Sequence, residues 1–265
     1  MNLRFQKYQG AGNDFIVIDS QKQGLRSLKN SLIRSLCDRK YGIGSDGLIL
    51  LKPHKIHDFE MLYYNADGEI GSMCGNGGRC AIKAARRAKY FKGAKTRFIA
   101  YDGFHKGVVK KDGTISLSIN EVDGFKRKDN DYILDTGSPH YVQHCHNKLN
   151  PTECLTKGKE IRYMTDFGPK GINVNFINIG KDNNIDIITY ERGVENLTLA
   201  CGTGTTAAAC VWARVTNAPA GKHIIKVQNP GGLLKVKYDY DGLQHFTKIW
   251  LMGPAELVYN GSIKV

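Results

Sequence analysis

The chain repeats itself at a spacing of 127 residues, and this repeat limits its fold more than any other feature. Cys74 of SMCGNGGRC (72–80) has a counterpart in Cys201 of LACGTGTTAAAC (199–210). The same shift carries Gly75 to Gly202, Gly77 to Gly204 and Ala81 to Ala208. It also carries Gly10 of YQGAGNDF to Gly137 of DTGSPHY, Gly44 of GIGSDG to Gly171 of GINVNF, and Asp46 to Asn173. No gap is needed, and the shift is close to half of the 265 residues. Glycines mark backbone positions that a side chain cannot occupy. Their agreement is therefore more informative than that of apolar residues. Chance alignment of an abundant residue would have to produce all these coincidences at one shift. The reading is two copies of one fold, facing each other.

Each copy is mainly strand. DFIVID, GLILL, FEMLYY, TRFIAY and TISLSI read as strands in the first, and NVNFINI, IDIITY, HIIKV and TKIWLM in the second. Asp112-Gly113 and Asp241-Gly242 sit between alternating runs as tight hairpin turns. Residues 27–40 predict a helix with a Ser27 cap and Leu28, Leu32 and Leu36 on one face. Residues 77–91 predict a helix of small residues, with Cys80, Ala81, Ala84, Ala85 and Ala88. Residues 204–216 are so small and apolar that the helix is expected to be buried all round. A sheet curled about a central helix explains the need for small side chains. The class is α+β: two pseudosymmetric halves, each a mostly antiparallel strand barrel around a central helix, with about 8 strands per half. The halves are expected at 1–122, joined by the C-terminal strand 255–265, and at 123–254, with the active site between them.

A hydrophobic fraction of 41% supplies a sizeable core. The start, MNLRFQKYQG, has no apolar h-region, and no apolar run approaches 18 residues. Neither a signal peptide nor a membrane span is expected. Seven cysteines in no scaffold-like spacing suit a reducing cytoplasm. The net charge of +13 invites a nucleic-acid reading. However, the basic residues are interleaved with acids, and the longest pure run is Lys126-Arg127-Lys128. A solvated basic surface that attracts anionic substrates is the better account.

Each Cys-Gly-x-Gly lies where a strand ends and a helix begins. A helix start exposes N–H groups and a positive dipole end, which favours a thiolate and binds a carboxylate on the same donors. With the halves opposed, a substrate would meet a thiol on each side. One thiolate could take a Cα proton while the other thiol delivers one to the opposite face. That is stereoinversion at carbon, and the sequence implies no cofactor for it.

GAGNDF, YNADG, MCGNGGRC, GSPH, YERG and ACGTGTTAAA occur in the order and spacing of the diaminopimelate epimerase family, which the chain resembles from about residue 8 to its C-terminus. The asparagine of MCGNG favours this family over its proline racemase relatives. The resemblance implies pyridoxal-phosphate-independent interconversion of LL- and meso-diaminopimelate, on the route to lysine and peptidoglycan. It also implies Cys74 and Cys201 as the acid–base pair, with His140 and Glu191 tuning the thiols. Asn13, Asn65, Asn173, Glu191 and Arg192 are implied as contacts to the substrate, chiefly at its distal end. A guanidinium suits bidentate carboxylate binding. Gly75, Asn76, Gly202 and Thr203 are implied as donors to the carboxylate at the reacting centre. Two positions depart from common family usage: Gly47 stands where many members have Gln, and Ser138 where many have Asn. Any contact made by that Gln is expected to be missing or replaced by water.

Cys37, Cys80, Cys145, Cys154 and Cys210 read as small buried hydrophobes. HYVQHCH gathers His140, His144, Cys145 and His146, but the spacing fits no zinc pattern and a second ligand cluster is missing, so no metal is assigned. GAGNDF is followed by no dinucleotide or Walker pattern. Glu191 and Arg192 could instead form a surface ion pair. A racemase of another amino acid, or a basic binding protein without turnover, are the competing functions. The expected partner is a small molecule, with no nucleic acid and no membrane; a homodimer is left open.

Overall fold

The computed structural model describes residues 2–25, 27–71, 73–182 and 184–265. Ser72, the first residue of the SMCGNGGRC stretch, therefore lies outside the described residues. The chain divides into two compact units, Met1–Leu117 with Gly253–Val265, and Ser118–Met252.

In the first unit the strands lie side by side in the order β17 (Glu256–Lys264), β1 (Asn2–Gly10), β2 (Asn13–Asp19), β3 (Gly47–Lys52), β4 (Phe59–Asn65), β5 (Lys95–Ala100), β6 (Gly103–Val109) and β7 (Ile115–Ser118). Among the described residues, β2–β3 and β4–β5 are the parallel pairs of this run. Each of those crossovers carries a helix, α1 (Asn30–Cys37) and α2 (Gly75–Arg87), as a parallel connection requires. In the second unit the order is β8 (Lys126–Lys128), β9 (Asp131–Asp135), β10 (Pro139–His144), β11 (Asn173–Ile179), β12 (Asn184–Glu191), β14 (Gly221–Asn229), β15 (Gly232–Tyr240) and β16 (Phe246–Gly253), with the short β13 (Asn196–Thr198) also on β12. Again two pairs are parallel, β10–β11 and β12–β14, and they carry α3 (Pro151–Arg162) and α4 (Gly202–Val215). The run from β1 to β7 and the run from β9 to β16 thus use one sequence of antiparallel and parallel steps, with helices inserted at the same two steps. The topology is duplicated, as the glycine repeat implied.

The central helices explain the small-residue runs. α2 packs on β1, β2, β3, β4, β6 and β17, and α4 packs on β9, β10, β11, β12, β14 and β15, each within its own unit. A helix surrounded by strands has no solvent face to hold large side chains. Cys80, Ala81, Ala84 and Ala85 of α2 are fully buried, as are Ala207, Ala208, Ala209, Cys210 and Ala213 of α4. The outer helices are amphipathic instead. α1 buries Ile33, Leu36 and Cys37 against Ile16, Ile18, Leu48 and Leu50, and α3 buries Cys154 and Ile161 against Val174, Phe176 and Tyr190. Gly158 is what lets α3 approach, because a Cβ there would stand 2.6 Å from that of Tyr190.

Several local expectations are revised. Ser27 caps nothing; α1 begins at Asn30 after Lys29, and Leu28 is buried ahead of the helix. α2 and α4 each start two residues earlier than periodicity suggested, directly after the cysteine. α3 was not foreseen; Asn150 caps it by accepting from the Thr152 and Glu153 N–H groups, with Pro151 in its first turn. Both hairpin turns occur where expected. Gly113 and Gly242 have φ of +85°, and the Asp112 and Asp241 carboxylates accept the backbone N–H groups that follow. Among the described residues, no helix is long and apolar enough to cross a membrane, which says nothing about strand-built barrels.

Candidate active site

Cys74 and Cys201 are the N-cap residues of α2 and α4. Both have extended backbone angles, φ −81° and ψ 126° for Cys74, φ −111° and ψ 117° for Cys201, so each thiol stands at the positive end of a buried helix. Cys74 is partly exposed; Cys201 is 7% exposed. The Cys201 sulfur accepts from the Gly204 N–H at 3.4 Å and lies 3.4 Å from the Thr203 hydroxyl. Thr203 is anchored in turn, its carbonyl accepting from the Thr136 hydroxyl at 2.9 Å.

In the first unit, a relay of amides fixes the residues near Cys74. The Asn76 amide donates to Asn13 Oδ1, and Asn13 Nδ2 donates to Asp46 at 3.1 Å. This orients Asn13, whose second N–H remains for another acceptor. Asp46 also accepts from the Asp14 N–H and pairs with Arg39 at 2.8 Å. Asp14 is held by Lys7 and Arg39, each at 2.7 Å. Burial works to raise the Asp14 carboxyl, but the Arg39 and Lys7 partners prevail and hold it at about 2. Lys7 also donates to the Gly44 carbonyl. None of this ionic frame was read as functional, although Asp14 and Asp46 lie within GAGNDF and GIGSDG. Asn65 ends β4, and its N–H donates to the Glu69 carbonyl at 2.9 Å.

Gly47 acquires a physical explanation. A Cβ there would stand 2.6 Å from the Tyr63 ring and 2.6 Å from the Tyr64 carbonyl, and one at Gly71 would stand 2.8 Å from the same ring. The Tyr63 ring, packed edge-on against Phe15, fills the space beside Gly47. A missing or water-replaced contact was expected; an aromatic ring is there instead.

In the second unit, His140 is fully buried on β10. Its Nδ1 accepts from the Asn175 amide at 3.0 Å, which places the ring proton on Nε2, a buried atom with no partner among the described residues. Burial, and then the Arg192 charge, push the imidazole down to about 3, so it is neutral at physiological pH. Asn175 was not singled out in the sequence, yet it organises this region. It donates to the Tyr141 carbonyl, accepts from the Thr189 hydroxyl, and would be 2.4 Å from a Cβ at Gly204. Only glycine at 204 lets the helix start approach Asn175. The Asn173 amide is committed to the protein. It donates to Ser138 Oγ at 2.8 Å and to the Pro139 carbonyl, and accepts from the Arg192 N–H. Ser138 thereby serves as an acceptor for Asn173.

Glu191 ends β12, and both it and Arg192 are partly exposed. The turn after them is fixed by Glu195, which accepts from Arg162 at 2.8 Å, the Tyr163 hydroxyl at 2.9 Å and the Gly193 N–H at 2.9 Å. Arg192 thus hangs on a braced turn. Of HYVQHCH, His140 is buried while His144 and His146 stack edge-on on the partly exposed side. No group of three or more His, Cys, Asp or Glu able to hold a metal gathers among the described residues.

The family model for diaminopimelate epimerase matches residues 5–123 and 132–258. A diaminopimelate epimerase of Flavobacterium psychrophilum is 43% identical over 261 residues, covering 98% of this chain and 100% of its own length. One of Chlorobaculum tepidum is 41% identical over 260 residues, covering 96% and 98%. Among solved structures, a phenazine biosynthesis protein of the PhzF family from Bacillus anthracis superposes with a TM-score of 0.78 at 13% identity, covering all of both chains. A hydroxyproline epimerase from Agrobacterium vitis gives 0.74 at 12% identity, covering 99% and 92%. These two likenesses concern the fold. The sequence matches span nearly the whole chain and include both thiol turns, and the chain belongs to the diaminopimelate epimerase family.

Proposed function

We propose that this protein interconverts LL- and meso-diaminopimelate by two-base proton transfer at Cα, without pyridoxal phosphate, in lysine and peptidoglycan precursor synthesis. The observation that carries the reading is the duplicated one: a cysteine as N-cap of a buried helix in each copy of the fold. One sulfur, as thiolate, takes the Cα proton, and the electron pair of that C–H bond is left on the substrate. The other sulfur, as thiol, gives a proton to the opposite face, and the configuration inverts. Gly75, Asn76, Gly202 and Thr203 hold the charge that develops on the adjacent carboxylate, where helix-start N–H groups act without reorganising. Arg192 grips the distal carboxylate, and Asn13, Asn65 and Asn173 fix the distal end or the residues that meet it. Neutral His140 offers its Nε2 proton to a partner in the site, and Glu191 sets the charge beside the thiols.

The test is incubation of the purified protein with LL-diaminopimelate in deuterated water. The expected result is meso product carrying solvent deuterium at one Cα. A protein that neither exchanges nor converts would be a binding protein, and turnover of a simple amino acid instead would make it a different racemase.

A further inference from the structure

Arg79 lies in the second turn of α2, among glycine, cysteine and alanine neighbours, and its side chain is completely buried. Its hydrogen-bond acceptors are carbonyls: Nε donates to Pro254 at 3.1 Å and Nη1 to Gly75 at 3.3 Å. Nη2 is buried with no partner among the described residues. A guanidinium stays charged in proteins, and a buried charge is costly without an opposite one. The side chain runs back along α2 toward its start, reaching the residue next to Cys74. We infer that the Cys74 thiolate is the counter-charge of this buried guanidinium, and that Arg79 is a positioning residue which keeps Cys74 ionised in the resting protein. This rests on the reading of Cys74 as a reacting thiol.

The neighbouring groups bear on the assignment. Cys80 shares the helix and lies near Nη2, where both crowd Gly10. Burial pushes the Cys80 thiol up to about 12 even against Arg79, so it keeps its proton. Burial also pushes the Tyr8 hydroxyl of β1 up to about 12. Lys83 acts on Cys80 from the next turn. On the other side, the Asp102 carboxylate accepts from the Met73 N–H and lies 3.1 Å from the His105 ring. Asp102 is thus an acidic group beside the backbone that leads to Cys74, and Arg79 is a cation buried in the core of the same helix. Burial lowers Arg79, and negative charge on Cys80 or Cys74 works the other way. The repeat supplies a contrast. At the position equivalent to Arg79 the second unit has Thr206, whose hydroxyl donates to the Gly202 carbonyl at 3.0 Å. That is the same bond Arg79 makes to Gly75, without the charge.

The experiment is site-resolved alkylation of the full-length protein with iodoacetamide across pH 5–10, read by mass spectrometry for wild type, Arg79→Gln and Arg79→Lys. The expected result for Arg79→Gln is a Cys74 profile moved upward, with about tenfold or more less thiolate near neutrality. The shift at Cys74 should exceed that at Cys201, and Arg79→Lys should restore most of it. An unchanged Cys74 profile in folded Arg79→Gln overturns the inference. So does equal loss in the Lys and Gln variants, which would assign the role to shape. A second measurement leaves Arg79 in place and does not depend on Arg79→Gln folding. Side-chain ¹⁵N resonances of Arg79 should show a titration step matching Cys74, absent in Cys74→Ala; no step overturns the inference. Neither readout needs turnover. An inactive wild type with the expected shifts defeats the functional reading alone, and an active wild type without them defeats this inference alone.

Discussion

The two helix starts share a backbone plan and differ in chemistry. At the start of α2, a partly exposed Cys74 adjoins an amide relay, Asn76 to Asn13 to Asp46, with a buried guanidinium in the helix core. At the start of α4, a buried Cys201 adjoins Thr203, and the pseudo-equivalent of Asn13 is the neutral, fully buried His140. The first start is ionic and braced by Lys7, Arg39, Asp14 and Asp46. The second is braced by neutral groups around Asn175. An inverting pair cannot be two identical groups in identical states, because at any moment one must hold a proton and the other must lack it. The repeat gives two matched positions, and its broken places give them different surroundings.

The comparison breaks most visibly if one thiol is dispensable. Cys74→Ala and Cys201→Ala are each expected to lose epimerisation by roughly 10²–10⁴-fold or more, the usual worth of a positioned acid or base. Circular dichroism should report an unchanged fold. The measurement is the rate of meso-isomer formation from the LL-isomer, and one variant near wild-type rate would end the two-base account. Serine at either position should fail nearly as badly, its hydroxyl being a far weaker acid than a thiol.

The contact proposed for Arg192, with the distal end of the substrate, sharpens the contrast. Arg192→Lys keeps the charge but loses the planar fork. Losing one charge-assisted bond to the bound substrate costs about 1.5–3 kcal/mol, roughly ten- to more than a hundredfold in kcat/KM. Arg192→Ala should lose more. Wild-type kcat/KM in both variants would make Arg192 a surface residue.

The equivalent glycines Gly77 and Gly204 test the packing difference. A Cβ at Gly77 meets its neighbours at 3.5 Å, an ordinary contact, whereas one at Gly204 meets Asn175 Oδ1 at 2.4 Å. Gly77→Ala should therefore be neutral or stabilising by up to about 1 kcal/mol. Gly204→Ala should cost about 1–3 kcal/mol, because Asn175 must move and the Asn175–His140 bond with it. Chemical denaturation of both variants reads the pair; equal effects would mean that the α4 start does not depend on Asn175.

Much of this was legible in the sequence where glycine and small-residue constraints speak. Cys-Gly-x-Gly before an alanine run located both buried helices, and the shift of 127 residues anticipated the duplicated topology. What stayed hidden depends on contacts distant in sequence. α3 was missed because its buried face is only Cys154, Gly158, Ile161 and Arg162, too weak an apolar stripe to announce a helix; its packing on β11 and β12 reveals it. Asn175 and Arg79 were passed over because an asparagine in a strand and an arginine in a helix look ordinary until their burial is known. Gly47 could be seen as a departure, but the Tyr63 ring beside it comes from the adjacent strand.

The last prediction separates the two units by acid. Buried His140 titrates at about 3 when folded and near 6.5 when unfolded. Between those values the unfolded chain holds a proton that the folded chain lacks, so stability falls as pH drops through 6.5 toward 3. Asp14 lies at about 2 when folded against 3.8 unfolded, so its contribution is present above 3.8 and is lost only as pH falls toward 2. From pH 7 to 4.5 the His140 region should therefore weaken while the Asp14 network holds. One such group changes stability by at most about 1.4 kcal/mol per pH unit. Urea denaturation of wild type and His140→Gln at pH 7, 5.5 and 4.5 reads the effect as a difference in slope, whatever the substitution costs at pH 7. Wild type should lose stability faster than His140→Gln on acidification, whereas Asp14→Asn should parallel wild type over this range. Parallel lines for wild type and His140→Gln would mean that the imidazole is protonated in the folded protein, and the neutral brace of the second unit would be misassigned.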